Sequence, residues 1–348
     1  MAYTTINKST DYFNAVTYTG NGSTNAITGV GHQPDFVWTK RRDNSGDHML
    51  YDSLRGVGVH VHSNTNDGNN TIATSLTAFG TDGFTLGSGG DSNGNSETYA
   101  SWNWKAGTTG SGSTTGSGSS QSYSYSVNTT AGFSIIKYTG NGSAGHTIPH
   151  HLGAVPDMIL FKQLTGSNVD WRVYHHTLNG GVGNTHRLCL NDTSQGTNDD
   201  SAFNDTSPTS SVFTVGGSTS TNPSADVIAY CFAEKTGYSK FGSYTGNGNA
   251  DGVFVYTGFK PAFVMVKRTD NTSDWQMQDN KRIGYNINNY RLKANLSDAE
   301  TTSGVMDFIS NGFKFRGTAM NTSNGTFAYM AFAEAPLVGS NNIPCTAR

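Results

Sequence analysis

Charge is scarce in this chain. Asp, Glu, Lys and Arg make up 14% of its 348 residues, with 22 basic against 25 acidic side chains and no basic run, so the electrostatic footprint of a nucleic-acid binder is missing. No apolar stretch approaches the roughly 18 residues that cross a bilayer. The opening Met1-Ala-Tyr-Thr-Thr-Ile-Asn-Lys8 lacks the charged and apolar regions of a secretory signal. Cysteine is limited to Cys189, Cys231 and Cys345, an odd number without metal-type spacing, and free thiols in a chain made in a reducing cytoplasm are expected. Sequons at Asn21, Asn128, Asn191 and Asn321 are ordinary products of a composition rich in Asn, Ser and Thr. No Gly-x-Ser-x-Gly elbow, His-Glu-x-x-His or Walker loop occurs. No apolar period of 3.6 residues persists over three turns, which excludes a helical fold.

What is abundant is repetition. Tyr18-Thr-Gly-Asn-Gly22 returns as Tyr138 to Gly142 and as Tyr244 to Gly248. Each pentamer precedes a proline-led apolar run: Gln33-Pro-Asp-Phe-Val-Trp-Thr-Lys40, Val155-Pro-Asp-Met-Ile-Leu-Phe-Lys162 and Lys260-Pro-Ala-Phe-Val-Met-Val-Lys267. An acid-bearing segment follows, beginning at Asp47, Asp170 and Asp274, then a turn and strand at 82–86, 211–215 and 311–315. Each block closes on an apolar strand at 99–104, 227–232 and 327–332. With the pentamers starting at residues 18, 138 and 244, the period is that of a domain, too long for a solenoid turn.

Short β-branched and aromatic runs bounded by Gly, Asn, Asp and Pro read as strands. The expected fold is all-β: three tandem β-sandwich domains of the lectin-like jelly-roll kind, with an immunoglobulin-like sandwich second. The boundaries read as an N-terminal arm over 1–12, sandwiches over 13–107, 128–236 and 237–338, and a tail over 339–348. Residues 108–127 open with Thr-Thr-Gly-Ser-Gly-Ser and read as a flexible linker that tethers the first block, whereas the second and third blocks run together as a rigid pair. Asn-Gly in each pentamer predicts a type I′ hairpin turn at Asn21-Gly22, Asn141-Gly142 and Asn247-Gly248. A phosphate cradle is excluded because no helix start follows the glycines.

Several stretches of the second and third blocks carry a family resemblance, among them Tyr230-Cys-Phe-Ala-Glu234, Gly237-Tyr-Ser-Lys-Phe-Gly-Ser-Tyr-Thr-Gly-Asn-Gly248 and Phe254-Val-Tyr-Thr-Gly-Phe-Lys-Pro-Ala-Phe263. They resemble a domain family of unassigned function seen in structural and tail-fibre-like proteins of marine tailed bacteriophages, including cyanophages. The first block, from Tyr12-Phe13 to Trp104-Lys-Ala-Gly107, looks like a shorter variant. The resemblance implies a virion surface protein, synthesised in the host cytoplasm, that forms homo-oligomers and contacts capsid, portal or tail proteins. A tail-fibre or appendage subunit that aids host attachment is the first expectation, a capsid decoration or head fibre the second, and a polysaccharide-binding or depolymerase module the third. It brings no catalytic residues.

The residues themselves are read as follows. Six of the ten histidines fall in the middle block (His146, His150, His151, His175, His176, His186), and His60 and His62 share a strand face. Ordinary hydrogen-bonded histidines are expected there in preference to a metal centre, which needs further ligands and a fixed surround. The acids Asp47, Asp170 and Asp274 suit calcium, yet threefold repetition favours a structural duty in a turn. Glu97, Glu234, Glu300 and Glu334 are too few and scattered for a paired-carboxylate glycosidase. Trp38, Tyr51 and Tyr174 are the candidate stacking platforms for a host surface glycan, whereas Trp171 and Trp275, at equivalent positions, are expected in the core. No cofactor and no catalytic residue is expected.

Overall fold

The computed structural model describes residues 3–304 and 306–336. Its architecture follows from the alternation noted above: each of the three repeats is built around a larger and a smaller antiparallel sheet, and the second adds a two-stranded pair, His186–Arg187 with Thr197–Asn198. In the first repeat the larger sheet runs in the order Phe13–Thr19, Thr98–Trp104, Phe36–Arg41, Met49–Asp52, Val59–Val61 and Asn70–Thr71, and the smaller is Asn25–Ile27, Gly83–Leu86 and Leu76–Gly80. The second repeat keeps the order Phe133–Thr139, Asp226–Phe232, Met158–Gln163, Arg172–His175, and the third Ser239–Thr245, Thr326–Pro336, Phe259–Arg268, Gln276–Asp279, Leu292–Lys293. Their small sheets are formed around Val212–Val215 and Gly312–Phe315. The closing strand is central in every large sheet, which is why it is apolar on nearly every residue: one side faces the small sheet, the other the rest of the molecule. The fold is therefore all-β and β-sandwich-like.

Two kinds of core result. Within each repeat the sheets enclose a private cluster, such as Val37, Tyr51, Leu76 and Phe84 in the first and Val264, Phe313, Phe327 and Tyr329 in the third. The outer faces of the three large sheets meet one another in a single shared core. At its centre the equivalent residues Trp104, Phe232 and Phe332 form a triangle, with ring centroids 6.3, 5.6 and 6.1 Å apart. The repeats thus surround an internal pseudo-threefold axis of aromatic packing. The first repeat is part of that body and is not tethered to it.

The supposed linker is structured for a reason composition conceals. Thr108–Ser113 pairs antiparallel with Ser122–Asn128, which in turn pairs with Phe133–Thr139 and widens the second large sheet. In that register Gly110 and Gly112 face Tyr125 and Tyr123, and a Cβ on either glycine would lie 2.5 or 2.8 Å from the tyrosine hydroxyl. The glycines make room for aromatic rings laid across them, a known device for stabilising strand glycines. The described part of the N-terminal arm also packs on its own chain. Ile6 is buried in the shared core, and the Tyr3 hydroxyl donates to the Gly258 carbonyl at 3.1 Å. The tail over 339–348 and Cys345 lie outside the described residues.

The pentamers are turns, but of a different type from the hairpin expected. Gly22, Gly142 and Gly248 have φ of 66°, 72° and 70°, while the preceding asparagines do not enter that region, which rules out type I′. Nor does the pentamer join paired strands: it carries the chain from the large sheet to the small one. Its asparagine side chain accepts from the backbone N–H two residues on and is clasped by a second asparagine from the far end of the repeat. Asn93, Asn222 and Asn321 each accept from the pentamer Asn N–H at 2.8–3.0 Å and donate to carbonyls around it. Asn222 is 1% exposed. Replacing it with Ala leaves the Asn141 N–H and the Ser143 and Gly216 carbonyls short of a partner, at about 1–3 kcal/mol for each group stranded from water. Urea titration of Asn222→Ala is expected to show a lower midpoint at unchanged slope.

Candidate functional site

The residues that carry chemistry in this protein gather at the seams where one repeat meets the next, and they do so in cyclic order. After each recurring acid comes a ring whose N–H reaches across a seam: His48 Nε2 to the Lys293 carbonyl at 2.9 Å, Trp171 Nε1 to the His62 carbonyl at 2.9 Å, and Trp275 Nε1 to the Cys189 carbonyl at 2.7 Å. First contacts third, second contacts first, third contacts second. The acids themselves are held by asparagines, with Asn64, Asn191 and Asn295 donating to Asp47, Asp170 and Asp274 at 2.6–2.8 Å. The same asparagines accept from the backbone N–H of His48, Trp171 and Trp275. The repeated acid is therefore half of an Asp–Asn clip that orients the seam ring.

A second cyclic set lies one strand residue run further on. Tyr230 of the second repeat donates its hydroxyl to Asp52 of the first at 2.8 Å, Trp102 of the first donates to Asp279 of the third at 3.0 Å, and His175 of the second bonds the Tyr329 carbonyl of the third at 3.1 Å. Asp52 and Asp279 are fully buried and paired with Arg55 and Arg282 at 2.5 and 2.7 Å. A buried carboxylate is tolerated when it is paired and hydrogen-bonded in this way.

Lys40, Lys162 and Lys267 end the proline-led strands at equivalent places, and each is 0–1% exposed. Lys162 Nζ donates to the carbonyls of Asn66, across a seam, and Val169. Lys267 does the same to Thr193 and Ser273. Burial pulls all three ammonium groups down to about 8. Lys40 Nζ turns to the Arg41 carbonyl of its own repeat; the aligned lysines were visible in the repeats, but the Asn66 and Thr193 carbonyls that the other two reach come from the neighbouring repeat.

The candidates named from sequence are dispersed by the fold. Trp38, Tyr51 and Tyr174 are 1%, 0% and 5% exposed, so none presents a ring face to a sugar; Trp38 spends its N–H on His48 at 2.8 Å. Trp171 and Trp275 are core, as expected. His60 and His62 do share a face, with ring centroids 5.2 Å apart, and His175 and His176 stack at 5.3 Å, but the six histidines of the second repeat do not converge on one site. His146 bonds Asn141 and Ser117, His150 bonds Thr209, His151 stacks on Tyr125 at 3.7 Å, and His176 reaches the Phe241 carbonyl. Each of the four glutamates lies in an ion pair: Glu97 with Arg41, Glu234 with Lys240, Glu300 with Arg42 and Arg282, Glu334 with Lys260.

Among the described residues one group of metal-ligating side chains converges, Asp170, Cys189 and Asp192. Its donors are already engaged. Arg172 and Arg187 direct N–H groups at the Cys189 sulfur from 3.3 and 2.9 Å, and burial lifts the thiol to about 11. In the third repeat the place of Cys189 belongs to Lys293, whose ammonium sits 2.9 Å from Asp274. Cationic side chains fill this corner in both repeats, so the donor set does not fit a metal ion.

One seam is open. Between the second and third repeats lies a groove of about 460 Å³ bordered by residues that include Thr177, Asn179, His186, Ser243, Thr269 and Thr326. Hydroxyl and amide side chains line it together with Leu178 and the Tyr244 ring, and its one carboxylate, Asp270, is bound to Arg268 at 2.8 Å. Among the described residues no helix is long and apolar enough to cross a membrane.

No curated protein and no solved structure matches this chain. A family model does, and it runs through all three repeats as one unit, from residue 8 to residue 336. The chain belongs to the family described as a domain of unknown function, DUF7483.

Proposed function

We propose that this chain is a structural protein of a bacteriophage virion, exposed on the particle and working without covalent chemistry, as a tail-fibre or appendage subunit that contributes to host attachment. One observation supports it above others: the polar groups repeated in the three blocks are spent on shaping each block and, through the seam rings, on holding the blocks to each other. A chain whose recurring Asp–Asn clips orient a ring across each of three seams is a rigid building unit, and the repeated groups are engaged within it. The resemblance to tail-fibre-like phage proteins supports reading such a unit as part of a particle surface. Adjacency of the first and last strands in each large sheet favours reading every repeat as a lectin-like jelly roll, here fused through a common core.

A surface of neutral hydrogen-bonding groups suits seawater ionic strength, where screening shortens the reach of charge to a few ångströms. Antibodies against the folded chain are expected to label intact tailed particles at the tail or its fibres by electron microscopy. Regular labelling over the head would instead make it a decoration protein. Particles that lack the chain altogether would remove the virion reading.

A further inference from the structure

The internal threefold supplies a comparison for the open groove. At each seam one backbone N–H donates to one carbonyl at 2.8 Å: Glu300 to Arg42, Asn69 to Leu164, and Gly196 to Thr269. The three contacts are equivalent, but their side chains are not. Arg42 and Glu300 form a two-pronged ion pair at 3.2 and 2.9 Å, and Leu164 is buried in the shared core. Gly196 and Thr269 offer almost no bulk. The groove opens at that third seam, where the plug present at the other two is absent.

Its floor has been changed in the same direction. Ser243 and Thr326 stand where the second repeat has Lys137 and Asp226, a pair bridged at 2.9 Å. Together with Thr245 and Thr269 they set four hydroxyls across neighbouring strands, and Thr269 and Thr326 are 2.9 Å apart. Asn179 and Gln195 add amides from the second repeat, and His186 a ring nitrogen. These groups both donate and accept. Phosphate or carboxylate ligands find no uncompensated cation, because the Arg268 guanidinium is taken by Asp270. An apolar ligand would strip water from hydroxyls without replacing its bonds, at a cost. The volume falls within the roughly 300–1,000 Å³ of small-molecule sites.

We propose that this groove binds a neutral saccharide of one or two rings, its hydroxyls bonded to the Ser243, Thr245, Thr269 and Thr326 floor. The inference stands on the seam alone, whatever particle carries the protein. Saturation-transfer NMR of the full chain with glucose, galactose, mannose, N-acetylglucosamine, maltose and diacetylchitobiose tests it. At least one sugar is expected to receive saturation. The signal should fall about tenfold or more in the double variant Gly196→Glu, Thr269→Arg, which installs the pair already housed between Arg42 and Glu300. Thr326→Leu, at an exposed floor position, provides a second way to block the groove should the double variant not fold. No transfer to any of the six sugars overturns the proposal. So does transfer that survives in a folded, blocked variant.

Discussion

Stability is expected to fall steeply as pH drops from 6.5 to 4, starting well above the range in which the carboxylates as a class titrate. Three histidines are locked neutral by geometry. His48 accepts from Trp38 Nε1 at Nδ1 and gives its Nε2 proton to the Lys293 carbonyl. His150 accepts from the Leu152 N–H and gives to the Thr209 carbonyl. His175 accepts from the Thr177 N–H and gives to the Tyr329 carbonyl. A second proton on any of these rings would face an N–H donor. Burial pushes His150 down to about 4 and His175 to about 3, and holds His48 well below its ordinary value. His32 and His60 are likewise driven by burial to about 4.

The sign follows from linkage. Between the unfolded value of about 6.5 and the folded value, the unfolded chain binds the proton and the folded chain does not, so stability rises with pH in that window and is lost as pH falls through it. One imidazole withheld over about 2.5 pH units corresponds to roughly 3 kcal/mol, and the four held at about 3 to 4 rival the whole stability of an ordinary domain, about 5–15 kcal/mol. Asp35 and Asp157, raised by burial, act in the opposite sense but are fewer. Melting curves from pH 7.5 to 4 check the expectation, and His150→Gln, which keeps a donor and an acceptor, should reduce the proton uptake on unfolding by about one. A melting temperature flat from pH 6.5 to 4.5 would mean that these rings are protonated in the folded chain.

The repeat plan and the strands were legible because each strand lies between turn residues and alternates locally. Phe36–Arg41, Met158–Gln163 and Phe259–Arg268 sit where the proline-led runs predict them. The Gly-Ser segment misled because composition hides pairing: Gly110 and Gly112 are strand residues only by virtue of Tyr125 and Tyr123 opposite them. Burial of Trp38 and Tyr51 was in reach of the argument that placed Trp171 and Trp275 in the core. The seams were not legible. Their partners, such as His48 with Lys293 or Tyr230 with Asp52, are separated by more than a repeat, and no local pattern states which faces of three similar blocks meet. The groove had a signal, Arg42, Leu164 and Thr269 at one aligned position, but its meaning depended on knowing that the position lies at a seam.

Trp104→Ala is expected to destabilise the whole chain in one step, by about 3–5 kcal/mol, with all spectroscopic probes moving together. Trp104 packs on Phe13 and Phe36 of its own repeat, on Phe232 of the second, and on Phe263 and Phe332 of the third. A cavity there removes contacts from three blocks at once, so none can melt alone. Trp104→Phe should cost far less, because the two equivalent places already hold phenylalanine and the Trp104 indole N–H is buried without a partner; losing an unpaired donor offsets some of the lost volume. Calorimetry of wild type and both variants decides between architectures. A single transition that shifts as a whole is the signature of one body around a common axis. Separate transitions, of which only the first repeat's moves with Trp104→Ala, would mean three domains whose seams contribute little, and the cyclic set of Asp–Asn clips and seam rings would then need another reason to exist.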